Sequence, residues 1–277
     1  VRYTGSMSAQ DLHKIANQLR GDVLQMVHAA QAGHVAGPLS SADLFSILYF
    51  GGVVDPTQDK IVLSCGHYCP IQYAALARAG YFPVEELASF MQIGSRLPGH
   101  PERGSVAGIE VSAGPLGQGV SVATGMALGM KLSNLKFSNS QIKEPRVYCV
   151  LSDGELQEGQ VWEAFNFAVR RQLDNLIFIL DRNKIQIENY VSQLATYGEV
   201  VGRLEAFGLN VLETDGNNID KLKVMIEKAK TMQSAPTMVV ANTVGGKGVS
   251  FMENKPAWHD QVPTKDELEK ALKELNV

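Results

Sequence analysis

The sequence predicts an α/β fold, a mostly parallel sheet with helices on both faces. Short apolar runs at Val147–Leu151, Leu176–Leu180 and Thr237–Ala241 alternate with segments of helical periodicity, the pattern of strands joined by crossover helices. Glycine-rich loops follow several of these runs, and in open sheets of this kind ligands sit at the carboxyl ends of strands. The chain has 277 residues, 45% apolar and 19% charged. A chain of that size buries roughly three-quarters of the surface it exposes when unfolded, so it needs neither disulfides nor a structural metal for its core.

Taken in order, residues 8–31 carry Leu12, Ile15, Leu19, Val23, Val27 and Ala30 at intervals of three and four, one face of a helix that Ser8 caps and Gly33 ends. Ile61–Leu63 predicts a strand leading into the loop Ser64-Cys65-Gly66-His67. Helices are expected over Pro70–Ala79, stopping at Gly80, and over Val84–Met91, opened by Pro83. Residues 94–117 form a long Gly-, Pro- and Ser-rich loop, uncommon in a compact domain unless it is functional. Gln118–Leu132 mixes small residues with apolar ones, which predicts a helix buried on most sides. Further on come a helix over Gln160–Arg171, with Val161, Ala164, Phe165 and Ala168 on one face, and a strand near Val211. A helix over Ile219–Met232 and the strand Thr237–Ala241 follow. Thr264 and Glu267 make a capping box for a final helix within 264–276, reached through the loop Pro256–Pro263.

Net charge is −4 and no basic run could neutralise a row of phosphates, so nucleic acid and anionic membranes are not expected as partners. No apolar stretch is long enough to span a bilayer, and no signal-peptide pattern opens the chain; a cytoplasmic protein is expected. The three cysteines, Cys65, Cys69 and Cys149, lack zinc-site spacing and read as buried thiols. Val1–Ser6 resembles an expression scar before a natural start at Met7, leaving one domain over residues 7–277.

Chemistry concentrates at the strand ends. Asp153 follows one strand and Asn183 the next, with one helix between them. A carboxylate, an amide oxygen and a nearby main-chain carbonyl suit Mg2+ whose other positions are filled by water and diphosphate oxygens. On residue type alone, Asp153 reads equally as a helix cap and Asn183 as a turn residue. Of six histidines, His13 and His28 fall within the first helix, whereas His34, His67, His100 and His259 all lie in loops, three of them beside glycine. Such a cluster can hydrogen-bond phosphate oxygens and move protons to and from sugar hydroxyls. Lys247, in Gly245-Gly246-Lys247-Gly248, reads as solvated.

Asp153-Gly154 followed thirty residues after the Asp by Asn183 resembles the cofactor motif of thiamine diphosphate enzymes. Gly33-His34-Val35-Ala36-Gly37, Leu63–His67, Pro98-Gly99-His100-Pro101-Glu102, Gly114-Pro115-Leu116-Gly117-Gln118-Gly119, Glu158-Gly159 and Trp258-His259-Asp260 are similar, in order, to segments of the transketolase family. The resemblance covers the chain from Met7 onward and implies a thiamine diphosphate-binding fold. It also implies that Asp153, Asn183 and the main-chain oxygen of Ile185 hold Mg2+, or another divalent cation such as Ca2+ or Mn2+. Gly154 would let the diphosphate approach, and Gly114 and Leu116 would meet the aminopyrimidine. The Ile185 side chain would pack on the thiazolium, with His67 and His259 beside the diphosphate or thiazolium. His100 would bind donor hydroxyls and His34 would face the reacting carbonyl. Glu158 resembles a carboxylate at the subunit interface that links two cofactor sites; as a residue, it reads equally as an exposed first-turn acid.

Three segments depart from the family pattern. Ser152 replaces a glycine, Val35-Ala36 replaces Pro-Gly, and Cys65 replaces a frequent Asn. Transketolases run to more than twice this length, and the resemblance covers only the diphosphate-binding half. It therefore implies the N-terminal subunit of a split transketolase, completed by a separate C-terminal subunit in a heterotetramer. That enzyme would transfer a two-carbon ketol unit from a ketose phosphate to an aldose phosphate. The alternatives are a subunit of a related enzyme, acting as a deoxyxylulose phosphate synthase or on an unusual sugar, and a non-catalytic cofactor-binding protein.

Overall fold

A computed structural model describes residues 5–136, 145–187, 189–194 and 199–277. Of the first six residues, Gly5 and Ser6 are described, and the Ser6 hydroxyl donates to the Gly51 carbonyl at 3.0 Å; Val1–Thr4 lie outside the described residues.

Helix α1 (Ala9–Ala30) starts where the Ser8 side chain accepts from the Asp11 N–H. It ends earlier than expected from Gly33, because Gln31 itself takes the left-handed conformation, φ 52°. Two helices that lack a clear polar-apolar rhythm in the sequence follow, α2 (Ala36–Ser40) and α3 (Ala42–Phe50). They are buried on nearly every side, which removes the amphipathic signal. Strand β1 (Lys60–Leu63) leads through a 3-10 turn to α4 (Cys69–Arg78). The helix expected at Val84–Met91 is instead a 3-10 helix over Val84–Ser89, and Met91 sits at φ 56°.

The remaining elements are α5 (Gln118–Lys136), β2 (Val147–Ser152), α6 (Gly159–Arg170), β3 (Leu176–Arg182), the hairpin β4 (Ile185–Gln186) and β5 (Asn189–Tyr190), α7 (Val191–Leu194), α8 (Val200–Ala206), β6 (Asn210–Asp215), α9 (Ile219–Ala229), β7 (Thr237–Asn242) and α10 (Lys265–Leu275). The main sheet has order β1-β2-β3-β7-β6, every pair parallel. Alternate residues feed two cores. Tyr148, Val150, Ile177, Ile179 and Val239 point into the layer of α1, α3, α4, α9 and α10. Val147, Cys149, Leu151, Phe178 and Val240 point into the layer of α5, α6 and α8. Both faces being covered explains why these strands read as continuous apolar runs.

Helix α5 corrects one expectation. One side packs on β2 and α6, but Val122 and Leu132 are 42% and 51% exposed and nothing lies within 4 Å of a Cβ placed at Gly125 or Gly129. It is a two-sided helix whose outer face is as apolar as its inner one, so composition alone did not separate them. Among the described residues, no helix is long and apolar enough to cross a membrane.

Candidate active site

The register of β2 with β3 pairs Ser152 with Asp181, so the residues just beyond, Asp153 and Asn183, emerge side by side at one edge of the sheet. Asp153 is 5% exposed. Its Oδ2 accepts the Lys184 N–H at 2.6 Å, while Oδ1 is buried with no hydrogen-bond partner. Burial, reinforced by the Asp181 carboxylate, pushes the Asp153 carboxyl up to about 8. An orphaned carboxylate oxygen in such a place is costly, and a cation is the group that removes the cost. Asn183 Oδ1 accepts the Ile185 N–H at 2.9 Å, and Nδ2 donates to Tyr68 OH at 2.8 Å and Asp181 Oδ2 at 2.9 Å. Among the described residues no three His, Cys, Asp or Glu side chains converge as a metal site; the set here is one carboxylate, one amide and the Ile185 main chain. Those hard oxygens are what a divalent cation with diphosphate and water ligands requires, so the residues fit that group.

Over this edge opens a cavity of about 230 Å³ lined by His34, His67, His100, His259, Gly114, Leu116, Gly154 and Ile185, together with Tyr68, Ser152, Gln186 and Ile187. Eight positions singled out in the sequence thus share one wall although they span His34 to His259 in the chain. The imidazole centroids lie 5.0 Å apart for His34–His67, 5.2 Å for His34–His259, 5.5 Å for His67–His259 and 6.5 Å for His34–His100. Burial and the neighbouring His259 lower His34 to about 4, and burial beside His34 drives His67 far below the usual histidine range. Burial also lowers His259, against the pull of Asp260. At neutral pH all three are neutral rings with one N–H donor and one acceptor nitrogen each. A somewhat larger cavity of about 270 Å³ lies at the other end of β1, beside the Lys60–Glu110 ion pair; no histidine lines it.

Local packing explains how each histidine arrives. His34 follows Gly33, φ 128°, a conformation glycine tolerates. His100 sits on a loop held from below: Tyr73 OH donates to the Pro98 carbonyl at 2.9 Å and Cys69 Sγ to the Gly99 carbonyl at 3.0 Å. The Val35 N–H donates to the His259 carbonyl at 3.0 Å, joining two segments more than two hundred residues apart. The departures from the family pattern are absorbed locally. Ser152 has ordinary extended angles, φ −106° and ψ 163°, and Cys65 is fully buried beneath the site with its thiol pushed up by burial.

Glu158 lies elsewhere. It is exposed at the start of α6 and outside the cavity. The buried carboxylate nearby is Glu155, which accepts from Ser64 Oγ at 2.5 Å, Gly117 N–H at 2.9 Å and Ser152 N–H at 3.0 Å. It ties the loop after β1, the loop before α5 and the end of β2 together. Sequence reasoning passed over Glu155, Asp181, Tyr68, Gln186 and Ile187; only the Asp-x-Asn spacing at Asp181 carried a signal. Lys247 pairs with Glu253 at 3.1 Å rather than reaching into the cavity.

A parallel sheet with a histidine-lined cavity above a buried Asp/Asn pair defines a cofactor-binding α/β domain. The model of the transketolase thiamine diphosphate-binding domain matches residues 12–276. The chain is 39% identical to a 6-deoxy-6-sulfo-D-fructose transketolase subunit of Clostridium sp., over 96% of each chain. It is 35% identical to one subunit of an apulose-4-phosphate transketolase of Actinobacillus succinogenes, over 98% of each. The transketolase structure from Campylobacter jejuni superimposes with a TM-score of 0.89 at 34% identity, covering 98% of this chain but 43% of that one. The chain belongs to the transketolase family, as its thiamine diphosphate-binding domain.

Proposed function

We propose that this chain is the diphosphate-binding subunit of a two-chain transketolase, a transferase that moves a two-carbon ketol unit from a ketose phosphate to an aldose phosphate. The reading is carried by one observation: four histidines converge over Asp153, Asn183 and Ile185 in a chain that spans less than half of a single-chain transketolase. The relatives of equal length are named as subunits, which supports a separate C-terminal chain; in this reading two such pairs make a heterotetramer. Those relatives are named for a sulfonated and a phosphorylated sugar respectively; for this chain we take a sugar phosphate. Three buried, unpaired cysteines fit a reducing cytoplasm.

Thiamine diphosphate supplies the electron sink that lets the bond beside a ketose carbonyl break. The carboxylate of Asp153, the amide oxygen of Asn183 and the main-chain oxygen of Ile185 hold the divalent cation, Mg2+ or in its place Ca2+ or Mn2+. The backbone at Gly154 lines the cavity without a side chain and admits the diphosphate there. Gly114 and Leu116 approach the aminopyrimidine, and Ile185 packs on the thiazolium. His67 and His259 donate from their neutral rings to the diphosphate side. His100, exposed at the cavity mouth, bonds donor hydroxyls. His34, central among the imidazoles, accepts a sugar hydroxyl proton on its free nitrogen and returns it. Glu158 is exposed beside Gly117, which supports its reading as a residue that meets the partner.

The test is an assay with thiamine diphosphate, Mg2+, xylulose 5-phosphate and ribose 5-phosphate, on this chain alone and mixed with its complementary subunit. Turnover is expected only in the mixture and is abolished by Asp153→Ala. Full turnover by the single chain, or consumption of pyruvate as donor, overturns the reading.

A further inference from the structure

Beneath the cavity lies a polar cluster of which the roles above use only Asn183. Asp181, the penultimate residue of β3, is 1% exposed. Four side chains from four parts of the chain turn donors toward it: Thr243 Oγ1 at 2.5 Å on Oδ1, and Ser40 Oγ at 2.7 Å, Tyr68 OH at 2.8 Å and Asn183 Nδ2 at 2.9 Å on Oδ2. Burying a carboxylate at the end of a central strand is costly even when its hydrogen bonds are met. The fold builds around it all the same: Gly37 is held so close to the Tyr68 ring that a Cβ there would overlap it.

An amide side chain has two ends of similar shape and opposite chemistry, and only its surroundings decide which way it points. Asn183 meets an N–H donor from Ile185 at one end and the Asp181 carboxylate at the other. Both oxygens of Asp181 already serve as acceptors, Oδ1 for Thr243 and Oδ2 for Ser40 and Tyr68, so beside them the NH2 end is the compatible choice. We propose that Asp181 is a positioning residue for the cation site: it locks the amide of Asn183 so that oxygen, not nitrogen, is presented on the Ile185 side. Ser40, Tyr68 and Thr243 act one step further out, holding the Asp181 carboxylate in place. Partners that orient a metal ligand in this way typically change metal affinity ten- to a hundredfold when removed, about the effect expected here.

The inference rests on the reading of Asn183 as a cation ligand, and the experiment separates the two. The readout is the Mg2+ concentration giving half of the rise in melting temperature at a fixed, saturating concentration of thiamine diphosphate, measured on the whole chain without turnover. Asp181→Asn is nearly isosteric, but its amide can donate as well as accept, so Asn183 loses its unique orientation; the Mg2+ midpoint is expected to rise about tenfold. In an Asn183→Asp background the ligand offers oxygen whichever way it turns. There the same Asp181→Asn change is expected to leave the midpoint within about twofold or to lower it, because it also removes one of two adjacent like charges. An unchanged midpoint for Asp181→Asn, or an equal rise in both backgrounds, overturns the proposal, the latter by assigning the loss to charge alone. Should Asp181→Asn fail to fold, Thr243→Val, which releases Oδ1, is expected to raise the midpoint about threefold, and no rise overturns the proposal. If Asn183→Ala leaves the Mg2+ response intact, the cation reading itself falls; if it abolishes the response while Asp181→Asn does nothing, only the role of Asp181 falls.

Discussion

Gly37 and Asp43 show how much of this fold is decided one residue at a time. A methyl group on Gly37 would overlap the Tyr68 ring, and Tyr68 cannot retreat because its hydroxyl is bonded to both Asp181 and Asn183. Gly37→Ala is therefore expected to cost about 1–3 kcal/mol, the usual range for overpacking, and to weaken Mg2+-dependent cofactor binding as well; urea unfolding and a Mg2+ titration measure the two effects. Asp43, 2% exposed, pairs with Arg20 at 2.6 Å and accepts from Asn217 Nδ2 at 2.9 Å, joining α1, α3 and the loop after β6. Removing one member of a buried pair strands the other charge, so Asp43→Ala is expected to destabilise by about 3–5 kcal/mol, read from the urea midpoint.

At the scale of elements, caps and crossovers carry the argument. The box at the start of α10 forms as expected: Thr264 accepts the Glu267 N–H, and Glu267 Oε2 accepts the Thr264 N–H at 2.8 Å. This helix packs on α1, and Thr264→Ala is expected to cost about 1 kcal/mol, seen as a lower melting temperature with no change in cofactor affinity. Glu155 is the opposite case, a carboxylate binding three loops at once. Its replacement by Ala leaves the buried Gly117 and Ser152 N–H groups unpaired, at about 1–3 kcal/mol each. It is also expected to loosen the Gly114–Leu116 wall, which hydrogen exchange at Gly117 would report. The elements with strong periodicity or caps, such as α1, α6, α9 and α10, were legible in the sequence. The buried helices α2 and α3, the β4–β5 hairpin and α8 were not, because full burial or brevity leaves no period to read.

For the molecule as a whole, the buried histidines of the cavity wall couple folding to pH. The folded-state values of His34 and His67 lie below the ordinary histidine value of 6.5, so between those limits the unfolded chain binds more protons than the folded one. Their contribution to stability is complete above pH 6.5; for His34 it is lost as pH falls toward 4, and for His67 the loss continues at lower pH still. The buried carboxylates Asp153, Asp181 and Glu155 shift upward and act in the opposite sense, so the comparison must be with a variant. Replacing His34 and His67 together by Asn is expected to flatten the change in unfolding free energy between pH 7 and pH 5 by roughly 1–2 kcal/mol, after allowance for partial exposure. An unchanged slope in urea titrations would contradict the shifts.

Residue order alone determined the α/β alternation, the strand ends that carry Asp153 and Asn183, the glycine-rich loops and their histidines. These are short-range signals, and each is complete within a dozen residues of chain. Tertiary structure alone decided that His34, His67, His100 and His259 share one cavity, that Glu158 stands outside it while Glu155 is buried, and that the outer face of α5 is open. It also brought Ser40, Tyr68, Asp181 and Thr243 together around Asn183. These relations join positions more than two hundred residues apart, and they follow from the parallel register and the close packing of loops at one sheet edge, where no local pattern records which neighbour a side chain will meet.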